Sequence, residues 1–153
     1  MSKNDRLSDR PGFLIRRLHQ IHVPLFIEEC AGIDVTPVQY SIMTVAAAQP
    51  ELEQNQLGFA VGVDRATLAN VVARLEARGL LRRKASRRDR RQKLVVLTPK
   101  GRALLAKVDG PALRAHDRTI AALVPNDRAR FLAALRHLVD AGNEYGRAPL
   151  RLG

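Results

Sequence analysis

The stretch QNQLGFAVGVDRATLANVVARLEARGLLRRKASRRDRRQKLVVLT, Gln54 to Thr98, carries most of the information in this chain. A short helix is expected from about Leu52 to Val61. Gly62, Val63 and Asp64 then make a tight connection. Asp64 is placed to cap a second helix over roughly Arg65 to Arg78, and Gly79 stands where a glycine C-cap belongs. Leu80 to Ala85 and Lys93 to Thr98 read as two short strands, joined by a basic tip from Ser86 to Gln92.

Two short helices joined by a tight glycine-containing turn are the signature of a helix-turn-helix. Leu57, Ala60, Val61 and Val63 can pack the first helix on the second, where Leu68, Val71, Val72 and Leu75 form one apolar face. The opposite face carries Ala66, Asn70, Ala73 and Ala77, flanked by Arg65, Thr67 and Arg74. Small side chains there permit close approach to base edges. Asn70 can pair bidentately with adenine, and Arg74 can reach guanine or phosphate. An ordinary amphipathic surface helix has the same pattern, so the helix alone leaves both readings open.

The hairpin tilts the balance. Arg82, Arg83, Lys84, Arg87, Arg88, Arg90, Arg91 and Lys93 crowd into twelve residues, opposed locally only by Asp89. So many like charges on one tight loop repel each other unless a polyanion neutralises them. Arginine at a narrow tip suits the minor groove, where the potential is most negative.

Outward from this stretch the chain reads as helices. Leu14, Leu18, Ile21 and Leu25 recur at helical spacing between Pro11 and Ala31, with Pro24 expected to kink the helix and Gly32 to end it. Thr36 caps a helix that starts at Pro37 and runs to about Ala48. Thr98-Pro99 repeats that start for a long helix to about Leu123, which Gly110-Pro111 is expected to bend. Pro125 to Gly142 is a last helix with Phe131, Leu135, Leu138 and Val139 on one stripe. The expected fold class is therefore mainly α with a small β-hairpin wing. Residues 1–10 read as a flexible tail, 11–50 and 99–153 as a helical dimerisation region, and 51–98 as a winged helix-turn-helix. The apolar stripes of the first and last helices cannot both be buried within one small subunit, which points to a homodimer.

The totals agree with this division. With 46% apolar but only 4% aromatic residues, the core must be built from aliphatic side chains, as thin helical cores are. The formal charge of +11 favours a polyanionic partner without choosing among DNA, RNA and an anionic membrane. Cys30 is the only cysteine, which rules out an intramolecular disulfide and a CxxC-type zinc site. Neither a signal-peptide segment nor a bilayer-spanning stretch is present, so a cytoplasmic, nucleoid-associated protein without membrane contact is expected. There is no nucleophile elbow, P-loop or HExxH, and an enzyme is not expected.

The stretches Val63 to Leu68 (VDRATL), Val72 to Leu81 (VARLEARGLL), Arg88 to Arg91 (RDRR) and Leu97 to Gly101 (LTPKG) closely resemble the MarR family of regulators. The resemblance spans about Phe13 to Asp140. It implies an obligate homodimer with intertwined first and last two helices, palindromic double-stranded operators and, usually, a small ligand that weakens DNA binding. By position, Asp89 would brace the wing and Arg91 would enter the minor groove; Arg88 and Arg90 complete the DNA-contact set. Two departures stand out. Ser86 occupies a place where the family often has Asp, which is expected to leave the wing less braced. Gly58 stands where Ala is usual, which is expected to loosen its helix slightly.

The segment Phe13 to His22 followed by Thr36 to Tyr40 resembles the subgroup that senses aromatic acids or their thioesters in catabolic operons. A pocket is expected there, with ring contacts from Phe26 and Tyr40, hydrogen bonds from His19, His22 and Thr36, and a carboxylate partner in Arg16 or Arg17. The expected function is a DNA-binding regulator, on this resemblance a repressor released by a small aromatic carboxylate. The competing readings are a ligand-independent regulator, in which these residues only stabilise the hinge between lobes, and a redox-responsive one acting through Cys30. His19 and His22 have metal-ligand spacing but no third ligand close in sequence, so no metal and no cofactor is expected.

Overall fold

The computed structural model describes residues 6–146. Residues 1–5 of the expected tail and 147–153 of the expected helical region lie outside that range. Within the tail, Leu7–Asp9 form one exposed turn of 3-10 helix that leads into the first α-helix.

Six α-helices and three strands follow: α1 (Pro11–Glu29), α2 (Pro37–Ala48), β1 (Leu52–Glu53), α3 (Gln54–Val61), α4 (Arg65–Ala77), β2 (Leu81–Ala85), β3 (Lys93–Leu97), α5 (Pro99–Thr119) and α6 (Pro125–Gly142). The fold class is the expected one, mostly helical with a small antiparallel sheet. The sheet has a third member, however. Leu52 and Glu53, expected to open α3, instead pair with Val95 and Leu94. The strand order is β1-β3-β2, so the wing is anchored to the body along its inner edge. Glu51, just before this strand, has φ 64 and turns the chain sharply into the pairing.

Side-chain caps mark the starts of α2, α3, α4 and α5, whereas α1 and α6 begin on proline without one. The Thr36 hydroxyl accepts from the Gln39 amide at 3.2 Å while the Gln39 side chain accepts from the Thr36 amide, a reciprocal box. The Asp64 carboxylate accepts from the Thr67 amide at 3.0 Å and from the Thr67 hydroxyl at 2.7 Å. Each such cap contributes about 1 kcal/mol. Pro24 lies inside α1, and the helix continues past it to Glu29. Gly110 and Pro111 do not interrupt α5, which is one helix to Thr119 and ends short of the expected Leu123.

The core is one cluster. Phe26, Ile42, Met43, Leu57, Leu68, Val72, Leu75, Leu81, Val95 and Val108 are its largest fully buried side chains. Burying each stabilises by roughly 1.5–3 kcal/mol. α2 packs on α3 and β3 as well as on α5, so it joins the helical region to the winged lobe. α6, in contrast, buries no residue in a single subunit.

Candidate nucleic-acid interface and ligand cavity

α3 and α4 approach closely because of Gly58. A Cβ there would stand 3.0 Å from Leu68 Cδ2 and 3.2 Å from the Val63 carbonyl oxygen. The glycine expected merely to loosen α3 is what lets α4 lie against it. Gly62, in the left-handed region at φ 66, ends α3 and turns the chain into α4. α4 buries Leu68, Val72 and Leu75, which leaves Arg65, Ala66, Thr67, Asn70, Ala73, Arg74 and Ala77 exposed together. This is the face expected to meet base edges. The Thr67 hydroxyl proton is already spent on Asp64, so toward a nucleic acid this hydroxyl can only accept.

The wing is held by its own backbone. Asp89 accepts from the Arg91 amide at 2.9 Å, the Ser86 amide donates to the Gln92 carbonyl at 3.0 Å, and the Gln92 amide donates to the Asp89 carbonyl at 3.0 Å. Ser86 is buried, and its hydroxyl accepts from the Arg88 amide at 3.2 Å. Ser86 therefore caps the turn itself, and the bracing expected to go missing with an acidic residue is in part retained. Not every wing cation is free. Arg83 pairs with Glu76 of α4, and Lys84 pairs with Glu51. Counting charge within the hairpin missed both carboxylates, which the fold brings from outside it. Arg88, Arg90 and Arg91 have no carboxylate partner among the described residues. The hairpin tip therefore carries unbalanced positive charge, as a polyanion-binding loop does.

Thr98 ties this lobe to α5. Its hydroxyl accepts from the Gly101 amide at 3.0 Å and donates to the Gly79 carbonyl at 2.6 Å. Gly79 takes φ 71, as a C-terminal helix cap requires. Lys100 donates to the Arg78 carbonyl at 2.8 Å and so satisfies the end of α4.

The expected ligand residues separate into two groups. His19 and His22 line an open cavity of about 580 Å³ between α1, α5 and α6, together with Ile15, His116, Thr119, Phe131 and Leu135. The others lie elsewhere. Phe26 is fully buried in the core. Tyr40 is buried, and its hydroxyl donates to Asp109 at 2.7 Å. Burial and the Asp109 carboxylate push its pKa up to about 12, so it stays a phenol. Thr36 spends its hydroxyl as a cap. The Arg16 guanidinium lies over the Phe13 ring, 5.4 Å from its centre, and among the described residues no arginine lines the cavity.

Within the cavity wall the His22 and His116 rings stack with centroids 4.8 Å apart. The Thr119 hydroxyl donates to the Ala115 carbonyl at 2.8 Å, so at the 2.8 Å contact between His22 Nδ1 and Thr119 the imidazole is the donor. Nε2 of the neutral ring is then an acceptor. Burial first, then His116 and His19, hold the His22 pKa below its ordinary value, which keeps the ring neutral at pH 7. His116 and Thr119 were not assigned to the site from sequence. They lie on α5, more than ninety positions away, and only the packing of α5 on α1 brings them in.

A family model described as MarR matches residues 35–93, and this region contains α2 to the tip of the wing. The Escherichia coli O111:H- transcriptional regulator HosA is 32% identical over 127 residues, which cover 83% of this chain and 93% of that protein. The chain belongs to the MarR family. Among solved structures, the Bordetella bronchiseptica regulator BpsR is 32% identical, with a TM-score of 0.85 over 88% of this chain and 96% of that one. That structure concerns regulation of its DNA binding by 6-hydroxynicotinic acid. The transcriptional repressor CouR, bound to a 23-mer DNA duplex, is 30% identical with a TM-score of 0.81 over 91% of this chain and 99% of that one. CouR from Rhodococcus jostii is also known bound to p-coumaroyl-CoA. This MarR-family chain is accordingly a transcriptional regulator of the winged-helix type and not an enzyme. No helix among the described residues is long and apolar enough to cross a membrane.

Proposed function

We propose that the chain acts as a homodimeric repressor that binds a palindromic operator and releases it when a small aromatic acid, or its thioester, enters the cavity between α1, α5 and α6. The observation that carries DNA binding is the pairing of an exposed face of small residues on α4 with unpaired arginines at the wing tip. Asn70 and Arg74 read bases in the major groove, with Arg65 on flanking phosphate, while Arg90 and Arg91 follow the minor groove and Arg88 and Asp89 shape the tip. Residues 51–98 form the reading lobe, and the helices on either side form the dimerisation region. Supporting the dimer, Leu14, Ile15, Ile21, Leu132, Leu138 and Val139 are 40–60% exposed in the single subunit. Apolar stripes this open mark an association surface.

Ligand release is supported by the relatives that bind aromatic acids or thioesters and by the cavity's chemistry. Rings and aliphatic side chains supply most of the wall, which also carries Asp117, with His22 an acceptor for a hydroxyl and a ring N–H of His19 or His116 a donor to a carboxylate. This assigns the acid to imidazole rather than to Arg16. The redox alternative is disfavoured, because burial and then Glu29 push the Cys30 thiol pKa up, away from a reactive thiolate. A ligand acts only if it prefers the DNA-incompetent arrangement.

Hydroxylated benzoates, cinnamates and pyridine carboxylates should be screened by thermal shift and by release of a bound duplex. An active acid at a hundred times its Kd stabilises by about 2.7 kcal/mol, which raises Tm by several degrees. His22→Ala should abolish both responses and leave duplex binding intact. If no acid moves either quantity, or if His22→Ala responds as the parent does, the ligand assignment is wrong.

A further inference from the structure

One cation of the basic hairpin is held back from it. Arg83 lies on β2 on the same face as the buried Leu81, and so points toward α4 rather than toward the tip. There the Glu76 carboxylate accepts three hydrogen bonds from it: from the backbone amide at 2.9 Å, from Nε at 2.9 Å and from Nη2 at 2.7 Å. Both side chains are about one-third exposed, at 31% and 35%, which screens the pair less than an open surface contact. Glu76 is two residues beyond Arg74 on the helix whose exposed face carries Asn70. The clasp therefore joins the root of the wing to the recognition helix.

We propose that Glu76 is a specificity-determining positioning residue, which fixes the wing against the recognition helix and withholds the Arg83 charge from DNA phosphates. The proposal rests on the reading of α4 and the wing as the DNA-contacting surface. Non-specific binding is almost wholly phosphate electrostatics, so an extra free cation between the two reading elements strengthens it. Specific binding needs the wing and α4 to reach their grooves together. A loose wing must be ordered on docking, a cost that falls on the specific complex. Glu76 acts on both terms in the direction that widens the gap between cognate and random sequence.

The test uses the full chain, with Glu76→Gln, Arg83→Gln and the double variant beside the parent. The probes are a random-sequence duplex pool and the tightest duplex that the parent selects from it, each titrated over a series of salt concentrations. Glu76→Gln should bind the random pool more tightly, with a log–log salt slope steeper by about 0.9, the value of one added phosphate neutralised. Its preference for the selected duplex should fall roughly tenfold, as for loss of one charged hydrogen-bonded clasp. In the double variant the slope should return to that of the parent while the preference stays low. Arg83→Gln alone should leave the random-pool slope unchanged, and a flatter slope there would show that Arg83 already sits on phosphate and overturn the proposal, even if Glu76→Gln does not fold. Melting curves establish which variants are folded at the assay temperature. A folded Glu76→Gln that loses affinity for both duplexes in parallel, with no change in slope, makes the pair a structural contact only. A parent that selects no duplex defeats the DNA-binding reading itself, and the random-pool slopes still decide whether Glu76 withholds a charge.

Discussion

Single residues show where a short motif has a physical reason. In the Leu-Thr-Pro-Lys-Gly run, Gly101 is required by crowding. A Cβ there would stand 2.1 Å from the Leu80 carbonyl oxygen and 2.6 Å from Leu97 Cδ1. This glycine lets α5 begin directly against the end of β3 and the turn after α4. Gly101→Ala should destabilise the fold by at least about 2 kcal/mol, since neither the backbone oxygen nor the buried leucine can yield cheaply. The melting temperature should drop by roughly 4–8 °C. An unchanged melting curve would mean that this junction is looser than described. Residues bearing on local geometry were legible in the sequence: the caps Thr36, Asp64 and Thr98, and the turn glycines at 62 and 79. Gly58 and Ser86 were legible only as departures from a pattern. Their effect depended on what lay across from them: Leu68 and the Val63 carbonyl for one, the Arg88 amide for the other.

At the scale of the element, the wing was legible as a charged hairpin but not as part of a larger sheet. Two residues, Leu52 and Glu53, are too few to carry a strand pattern, and they extend only because β3 offers a free edge. Nor could local charge counting find Glu51 and Glu76, which neutralise two of the eight cations from outside the hairpin. What remains at the tip defines a second prediction. Replacing Arg90 and Arg91 together with alanine should weaken binding to all duplexes and flatten the salt slope by about 0.9 for each phosphate that is no longer neutralised. This change is opposite in sign to that expected for Glu76→Gln, although both act through one wing. An unchanged slope in the double variant would place the tip away from the DNA. α1 shows the limit of reading one element at a time. The resemblance grouped His19 and His22 with Phe26, but the fold buries Phe26 in the core and leaves the other two on an open cavity.

For the whole molecule, the order and class of the helices and of the hairpin followed from the sequence because α2 to α5 start on side-chain caps, α1 and α6 start on proline, and β2 and β3 are neighbours along the chain. The cavity proposed for the ligand did not, because its walls come from α1, α5 and α6, which meet only in the folded chain. The same helices present apolar stripes that a single subunit leaves open, and two recognition helices carried by one dimer would fall about 34 Å apart, one turn of DNA. A regulator built this way must distinguish sequence and not merely attract phosphate, which is the central claim. The direct measurement is a titration of the full-length protein at physiological salt against a palindromic duplex selected from a random pool, and against the unselected pool. The account predicts dimer binding to the selected palindrome at least about 10³-fold tighter than to the pool. Equal affinity for the two would contradict it and make the protein a non-specific binder of nucleic acid.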